Sequence, residues 1–182
     1  LTVDMILKKA MKGELDLMTH AMAVANELTG IPEFGDAPAD LYEKHLGYVK
    51  NFKKATLMVA GSAAQKLMMS LAKEQEILMG IADMAIWAYT AESFVLRAQK
   101  IAQTQGAEAA ALPTDMMQTY LYWAADKINV AGKEALMGYA EGDELKMMLM
   151  GMKRFTKVDP FNTKEARRRV AQALIDKNKY PF

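Results

Sequence analysis

The stretch EQEILMGIADMAIWAYTAESFVLRAQKIAQ, residues 74–103, decides the fold. Within it Ile77, Ile81, Met84, Ala88, Ala91, Val95, Ala98 and Ala102 step by four and three residues. That spacing keeps them on one stripe of an α-helix, because 3.6 residues complete a turn. Alanine holds half of these positions, so a partner helix can approach closely. The stretch predicts a core helix of a tight bundle over 74–104.

Working outward, the same periodicity recurs on both sides. Upstream, Asp40 with Glu43 three residues on has the pattern of a capping box and opens a helix over 40–70. Its predicted face is Leu46, Val49, Leu57, Ala60, Ala64, Leu67 and Leu71, and Gly61 permits a close contact at a small cost in helix stability. Before it, Gly30, Pro32, Gly35 and Pro38 mark a connector, preceded by a helix over 2–28 that Gly13 interrupts. Downstream, Ala107 to Pro113 reads as a loop, and Thr114 as the cap of a helix reaching to 140. The stripe of that helix is Met117, Leu121, Ala124, Ile128, Ala131, Ala135 and Gly138. Gly142 breaks it, a Met-rich helix follows over 143–155, Asp159-Pro160 turns the chain, and Thr163 caps a last helix over 163–177. The expectation is a single all-α domain over 1–182, an antiparallel up-and-down four-helix bundle with additional short C-terminal helices.

Composition agrees. The chain has 182 residues, 52% of them hydrophobic and 25% charged, which is globular and far from disordered. Sixteen Met against no Cys excludes disulfides and thiolate chemistry and suits a cytoplasmic location. Methionines at helical spacing read as core filling before they read as a binding groove. No apolar run approaches the ~20 residues that a membrane-spanning helix needs. Charge is uneven: residues 1–150 hold 14 basic and 19 acidic side chains, residues 151–182 hold 9 and 3. Lys164, Arg167, Arg168 and Arg169 make the last helix basic. Contact with an acidic surface of the same polypeptide, or plain solvation, outweighs nucleic-acid or lipid binding there, since Glu165 and Asp176 dilute the charge.

Reactive constellations are sparse. A carboxylate-bridged metal pair needs Glu-x-x-His on two helices. Only His20 and His45 are present, neither three residues after a Glu, and the pairing of His20 with Asp16 one turn earlier reads as a surface hydrogen bond. Asp83, within the apolar run Ile81 to Ile86, and Glu76 two turns earlier are candidate acids or bases. A structural salt bridge with Arg97 or a neighbouring Lys is the favoured reading for Asp83. Ser62 and Ser93 lack a nucleophile elbow and a nearby His. Gly61, Gly80, Gly132 and Gly138 are isolated within helices, so no glycine-rich loop cradles a phosphate. Trp87, Tyr89, Tyr120, Tyr122 and Trp123 read as packing residues before a flavin box.

The order Glu74-Gln75, Leu78, Ala82-Asp83, Ala85-Ile86, Tyr89 and Arg97-Ala98 resembles the C-terminal helical domain of acyl-CoA dehydrogenases of the very-long-chain type. The likeness continues more thinly through Met148 to Val158 and into the tail Asn178 to Phe182. The resemblance implies an FAD-dependent parent enzyme that oxidises a fatty acyl-CoA to the trans-2-enoyl-CoA. In it a Glu of a Glu-Gly-Thr-Asn loop removes the α-proton while the flavin takes a hydride from the β-carbon. By the same resemblance that loop falls upstream of Leu1, and the chain's start at Leu1 within a helical stretch is expected of a piece of something longer. No residue here matches the base or the flavin contacts, so no catalytic, cofactor-binding or metal position is assigned. The implied partners are the upstream catalytic domains and a second copy in a homodimer, with acyl-CoA bound outside this domain and no nucleic acid. In mitochondrial relatives the connector between the first two helices is long and linked to membrane attachment. Here residues 30–40 are short, hold Glu33, Asp36 and Asp40 and lack Lys or Arg, so anionic lipid repels them and membrane association is not expected. The alternative to this whole reading is a free-standing helical interaction module that binds a protein or an acidic partner.

Overall fold

A computed structural model describes residues 2–30 and 37–179. The connector acids Glu33 and Asp36 and the terminal Phe182 lie outside the described residues. Seven α-helices are present and no strand among the described residues: α1 (Val3–Met11), α2 (Leu17–Thr29), α3 (Leu41–Leu67), α4 (Gln75–Gln105), α5 (Ala107–Met137), α6 (Gly142–Phe155) and α7 (Thr163–Lys177). A short 3₁₀ segment, Met68–Lys73, joins α3 to α4. The helical stretch expected over 40–70 therefore ends as an α-helix at Leu67, where Met68 turns to φ +46°.

Local signals set the starts. The Asp40 carboxylate accepts from the Glu43 amide at 2.7 Å, and Glu43 reaches back to the Ala39 amide, which completes the capping box. Thr2 caps α1 through its hydroxyl. At the last helix the cap is one residue earlier than the sequence suggests: Asn162, not Thr163, accepts from the Glu165 amide at 3.2 Å.

The largest correction concerns residues 107–113. These form the first two turns of α5 and not a loop, and Thr114 is interior to the helix. Gly106, at φ +89°, is the whole connection between α4 and α5. Its amide closes α4 on the Ala102 carbonyl and its carbonyl opens α5 to the Ala110 amide. Ala107 to Leu112 are strong helix formers, and buried Ala110 gains packing, which together outweigh the hydrogen bond that Pro113 lacks. The Thr114 hydroxyl meets the Tyr42 hydroxyl at 3.1 Å instead of capping.

α4 and α5 form the central hairpin. Gly80 faces Ala135, Met84 faces Gly132, and Phe94 stacks on Tyr120, so the arms run antiparallel. The α4 stripe is buried from Ile77 to Ala98 as its spacing predicts, with Ala102 half-buried. α5 buries Met117, Leu121, Ala124, Ile128 and Ala135, with Ala131 half-buried and Gly138 exposed beyond the helix end.

α3 lies against both arms and also against α2 and α6. Its buried band is wide: Val49, Phe52, Ala55, Met58, Val59, Ala60, Ala63 and Ala64. The face expected from the sequence included Leu46, Leu57 and Leu67, which are only half-buried, and omitted Phe52, Ala55, Val59 and Ala63 at its centre. A helix gripped from several sides has no single stripe to read. α6 adds Met148, Met152 and Phe155 to the same core, and α7 rests on α5 through fully buried Ala166.

Candidate functional site

The predicted acid–base candidates are dispersed on the surface. Asp83 and Glu76 are exposed on α4, and Asp83 makes no ion pair among the described residues. Arg97 sits fourteen residues further along the same helix, about 21 Å away at 1.5 Å per residue, so the two do not meet. His20 is exposed, and Asp16 flanks the start of α2 without accepting a capping bond.

His45 is the one buried imidazole, 7% exposed, with Nδ1 2.6 Å from the Leu41 carbonyl oxygen and its ring edge-on to Tyr48. Burial pushes its pKa below the usual 6.5, so it is a neutral packing histidine. Beside it Lys44 pairs with Asp159 at 2.5 Å. That hydrogen bond holds the Asp159 carboxyl below the ordinary carboxylate range.

Ser62 and Ser93 are structural. Ser93 Oγ donates to the Tyr89 carbonyl at 3.0 Å, one turn back. Ser62 Oγ lies 2.7 Å from the Met58 carbonyl oxygen and 2.6 Å from the Tyr139 hydroxyl, which donates to the Val59 carbonyl at 3.0 Å. Burial pushes the Tyr139 hydroxyl up to about 12. No His, Asp or Glu trio is placed to hold a metal ion among the described residues.

Among the cavities of the described residues, one is a cleft between α4, α5 and α7. One arm, about 270 Å³, is bounded by Arg97, Ile101 and Pro113; the other, about 580 Å³, by Tyr120, Trp123, Arg167 and Leu174. Phe94 and Met116 line both. Phe94 stacks on Tyr120 at 4.6 Å, and Trp87 contacts Tyr120 and Trp123 at 5.5 and 5.6 Å between ring centroids. The packing expected of the aromatic set therefore holds for half-buried Trp87 and Tyr120. Tyr89, Tyr122 and Trp123 face outward, at 72%, 39% and 48% exposure. Met79 and Ile86, seven residues apart on α4, also stand exposed, at 64% and 60%.

An ion pair that the sequence did not suggest, outside the lining of the cleft, fastens α7 to α5. Arg169 of α7 donates twice to Asp115 of α5, at 2.7 and 2.6 Å, where Asp115 is only 9% exposed. A fork-to-carboxylate pair fixes orientation as well as contact. It accounts for one charge of the basic last helix; Lys164 and Arg168 share Glu165. In Pro113-Thr114-Asp115 the pattern of a helix start concealed the role of Asp115, and no local spacing links it to a residue 54 positions on.

The cleft does not fit a flavin. It runs along the sides of helices, whose backbone amides are committed to intrahelical bonds, so it offers no helix N-terminus or glycine cradle to a pyrophosphate. It also lacks a nucleophile–base pair. What it can do is bind.

Comparison with known proteins places the helices in context. The family model described as acyl-CoA dehydrogenase, C-terminal domain, matches residues 51–154, from the middle of α3 to the end of α6. A probable acyl-CoA dehydrogenase of Bacillus subtilis (strain 168) is 38% identical over 175 residues, which is 96% of this chain and 29% of that protein. The crystal structure of an acyl-CoA dehydrogenase complexed with FAD from Bacillus anthracis superposes with a TM-score of 0.87 at 37% identity, covering 99% of this chain and 30% of that one. The chain thus spans less than a third of the length of these relatives.

Proposed function

Because the chain belongs to the acyl-CoA dehydrogenase C-terminal domain family, we propose that it is the helical brace of an FAD-dependent acyl-CoA dehydrogenase. On this reading the parent enzyme converts a fatty acyl-CoA to the trans-2-enoyl-CoA in the cytoplasm. Bound FAD supplies the hydride acceptor, and both the flavin and the catalytic base belong to the remaining two-thirds of the polypeptide. The acyl-CoA binds there too. The role of the present helices is mechanical: they pack against the catalytic part, keep its geometry and help to set a homodimer.

One observation carries the reading, the correspondence of 99% of this chain to 30% of an FAD-complexed dehydrogenase at 37% identity. Two others support the passive role. The ionisable side chains are dispersed or paired, and the cleft presents no phosphate cradle. Among the described residues no helix is long and apolar enough to cross a membrane. The test compares the 182-residue chain with the complete polypeptide encoded by its gene. The complete polypeptide is expected to show flavin absorbance and to reduce an artificial electron acceptor when given a fatty acyl-CoA, and the 182-residue chain to do neither. Flavin binding or turnover by the 182-residue chain overturns the reading, as does a complete polypeptide inert toward every acyl-CoA.

A further inference from the structure

The cleft between α4, α5 and α7 carries charge that the chain leaves unanswered. No acidic side chain lines it, while Arg97 stands in one arm and Arg167 in the other. Neither arginine has an ion-pair partner among the described residues. Other charges on the same helices are matched, Arg169 by Asp115, Arg168 and Lys164 by Glu165, and Glu92 by Lys53. Lys100 on α4 is, like the two arginines, without an ion-pair partner among the described residues. The apolar lining of Phe94, Met116, Tyr120 and Trp123, with two arginines, has the composition of an interface core, where Trp, Tyr, Met and Arg anchor binding. Trp123, at 48% exposure, leaves the cleft open along one side. An open, acid-free groove between helices suits an amphipathic helix laid along it. A small molecule needs most of its surface enclosed.

We propose that the cleft seats an apolar-faced helix bearing carboxylates, supplied by the catalytic part of the same polypeptide. This rests on the functional reading above, in which under a third of the enzyme is present here and the rest is tethered to it. The occupant's acids meet Arg97 and Arg167, and its apolar anchors lie against Phe94, Met116, Tyr120 and Trp123. A tethered partner needs little intrinsic affinity, because linkage raises its effective concentration.

Hydroxyl-radical footprinting read by mass spectrometry tests this on the 182-residue chain and on the complete polypeptide. Met116 and Trp123 are expected to label about tenfold more slowly in the complete polypeptide, as side chains at a water-excluding interface centre do. The doubly reversed variant Arg97→Glu/Arg167→Glu restores their labelling there, and Arg97→Gln/Arg167→Gln, a milder change, restores part of it. Circular dichroism checks that both variants keep their helices. Equal labelling in the two wild-type samples overturns the proposal. So does protection in the 182-residue chain that grows with its concentration, which identifies a second copy as the occupant. Protection indifferent to both variants overturns the acidic character of the partner. Flavin absorbance, recorded on the same complete polypeptide, reports separately on the functional reading: flavin present with an unprotected cleft sinks this inference alone.

Discussion

Tyr139 couples the end of the hairpin to α3. Its hydroxyl donates to the Val59 carbonyl and contacts Ser62, whose own bond to the Met58 carbonyl occupies the same turn. Desolvation favours the neutral phenol and raises its pKa from 10.0 to about 12. The folded value lies above the unfolded one, so the unfolded chain releases this proton first. Stability is complete below pH 10 and is lost as pH rises from 10 toward 12. At full deprotonation this is worth about 2 to 3 kcal/mol. Alkaline unfolding followed by circular dichroism should show this loss, and Tyr139→Phe should flatten it while lowering neutral-pH stability by about 1 kcal/mol. An unchanged alkaline limb in the phenylalanine variant contradicts the assignment. His45 works in the opposite direction: its lowered pKa withdraws stability as pH falls below 6.5.

Between elements, two glycines distinguish rigid from compliant contact. A methyl group at Gly61 meets Ala21 Cβ, which has nowhere to turn, so α2 must move away from α3. At Gly132 the same methyl meets the tips of Met152 and Met84, which have free torsions. Gly61→Ala is expected to destabilise by about 1 to 3 kcal/mol. Gly132→Ala should come out near neutral, its helix-propensity gain of up to ~1 kcal/mol offsetting the repacking. Denaturant melts of both variants check the contrast, and Ala21→Gly should restore much of the loss in Gly61→Ala. Equal effects at the two sites refute the rigid–compliant distinction.

Legibility in the sequence follows the same logic of contact. The α4 stripe reads cleanly because its apolar residues lie on one face. α3 reads poorly because neighbours on several sides bury Phe52, Ala55, Val59 and Ala63 together with their flanks. The first turns of α5 are obscured by Pro113, a residue that more often ends or precedes a helix than sits seven positions inside one. The cleft was the least legible of all. Its larger arm exists only because α7 folds back onto α5, and nothing local in the sequence ties Arg169 to Asp115 or brings Arg167 into the same lining as Phe94.

At the level of the molecule, helices differ in how firmly they are held. α7 contributes a single buried residue, Ala166, and is otherwise fastened by the Asp115–Arg169 fork. Arg169→Ala leaves a carboxylate at 9% exposure without its cation, so α7 should open as a unit while the bundle of α3 to α6 stays closed. Hydrogen exchange resolved by segment is expected to quicken over 163–177 and to hold steady over α4. Asp115→Asn should give a milder version, because the amide still accepts from the guanidinium. Uniform quickening across the whole chain contradicts a separately latched helix. Because α7 supplies one wall of the larger arm of the cleft, such opening also takes that wall away, so this latch and the proposed docking face are one mechanical unit.

Gly106 joins two 31-residue helices with no intervening loop. The ring-closure entropy of the hairpin is therefore as low as a helix pair allows, and contacts next to the bend form between residues close in sequence. Assembly is expected to zip from the bend toward the distant tips: weakening Ala110 slows folding, whereas weakening Leu136 speeds unfolding. During synthesis, the two arms are expected to meet once the second has emerged, so that a nascent chain carries a nucleus before α7 follows it from the ribosome.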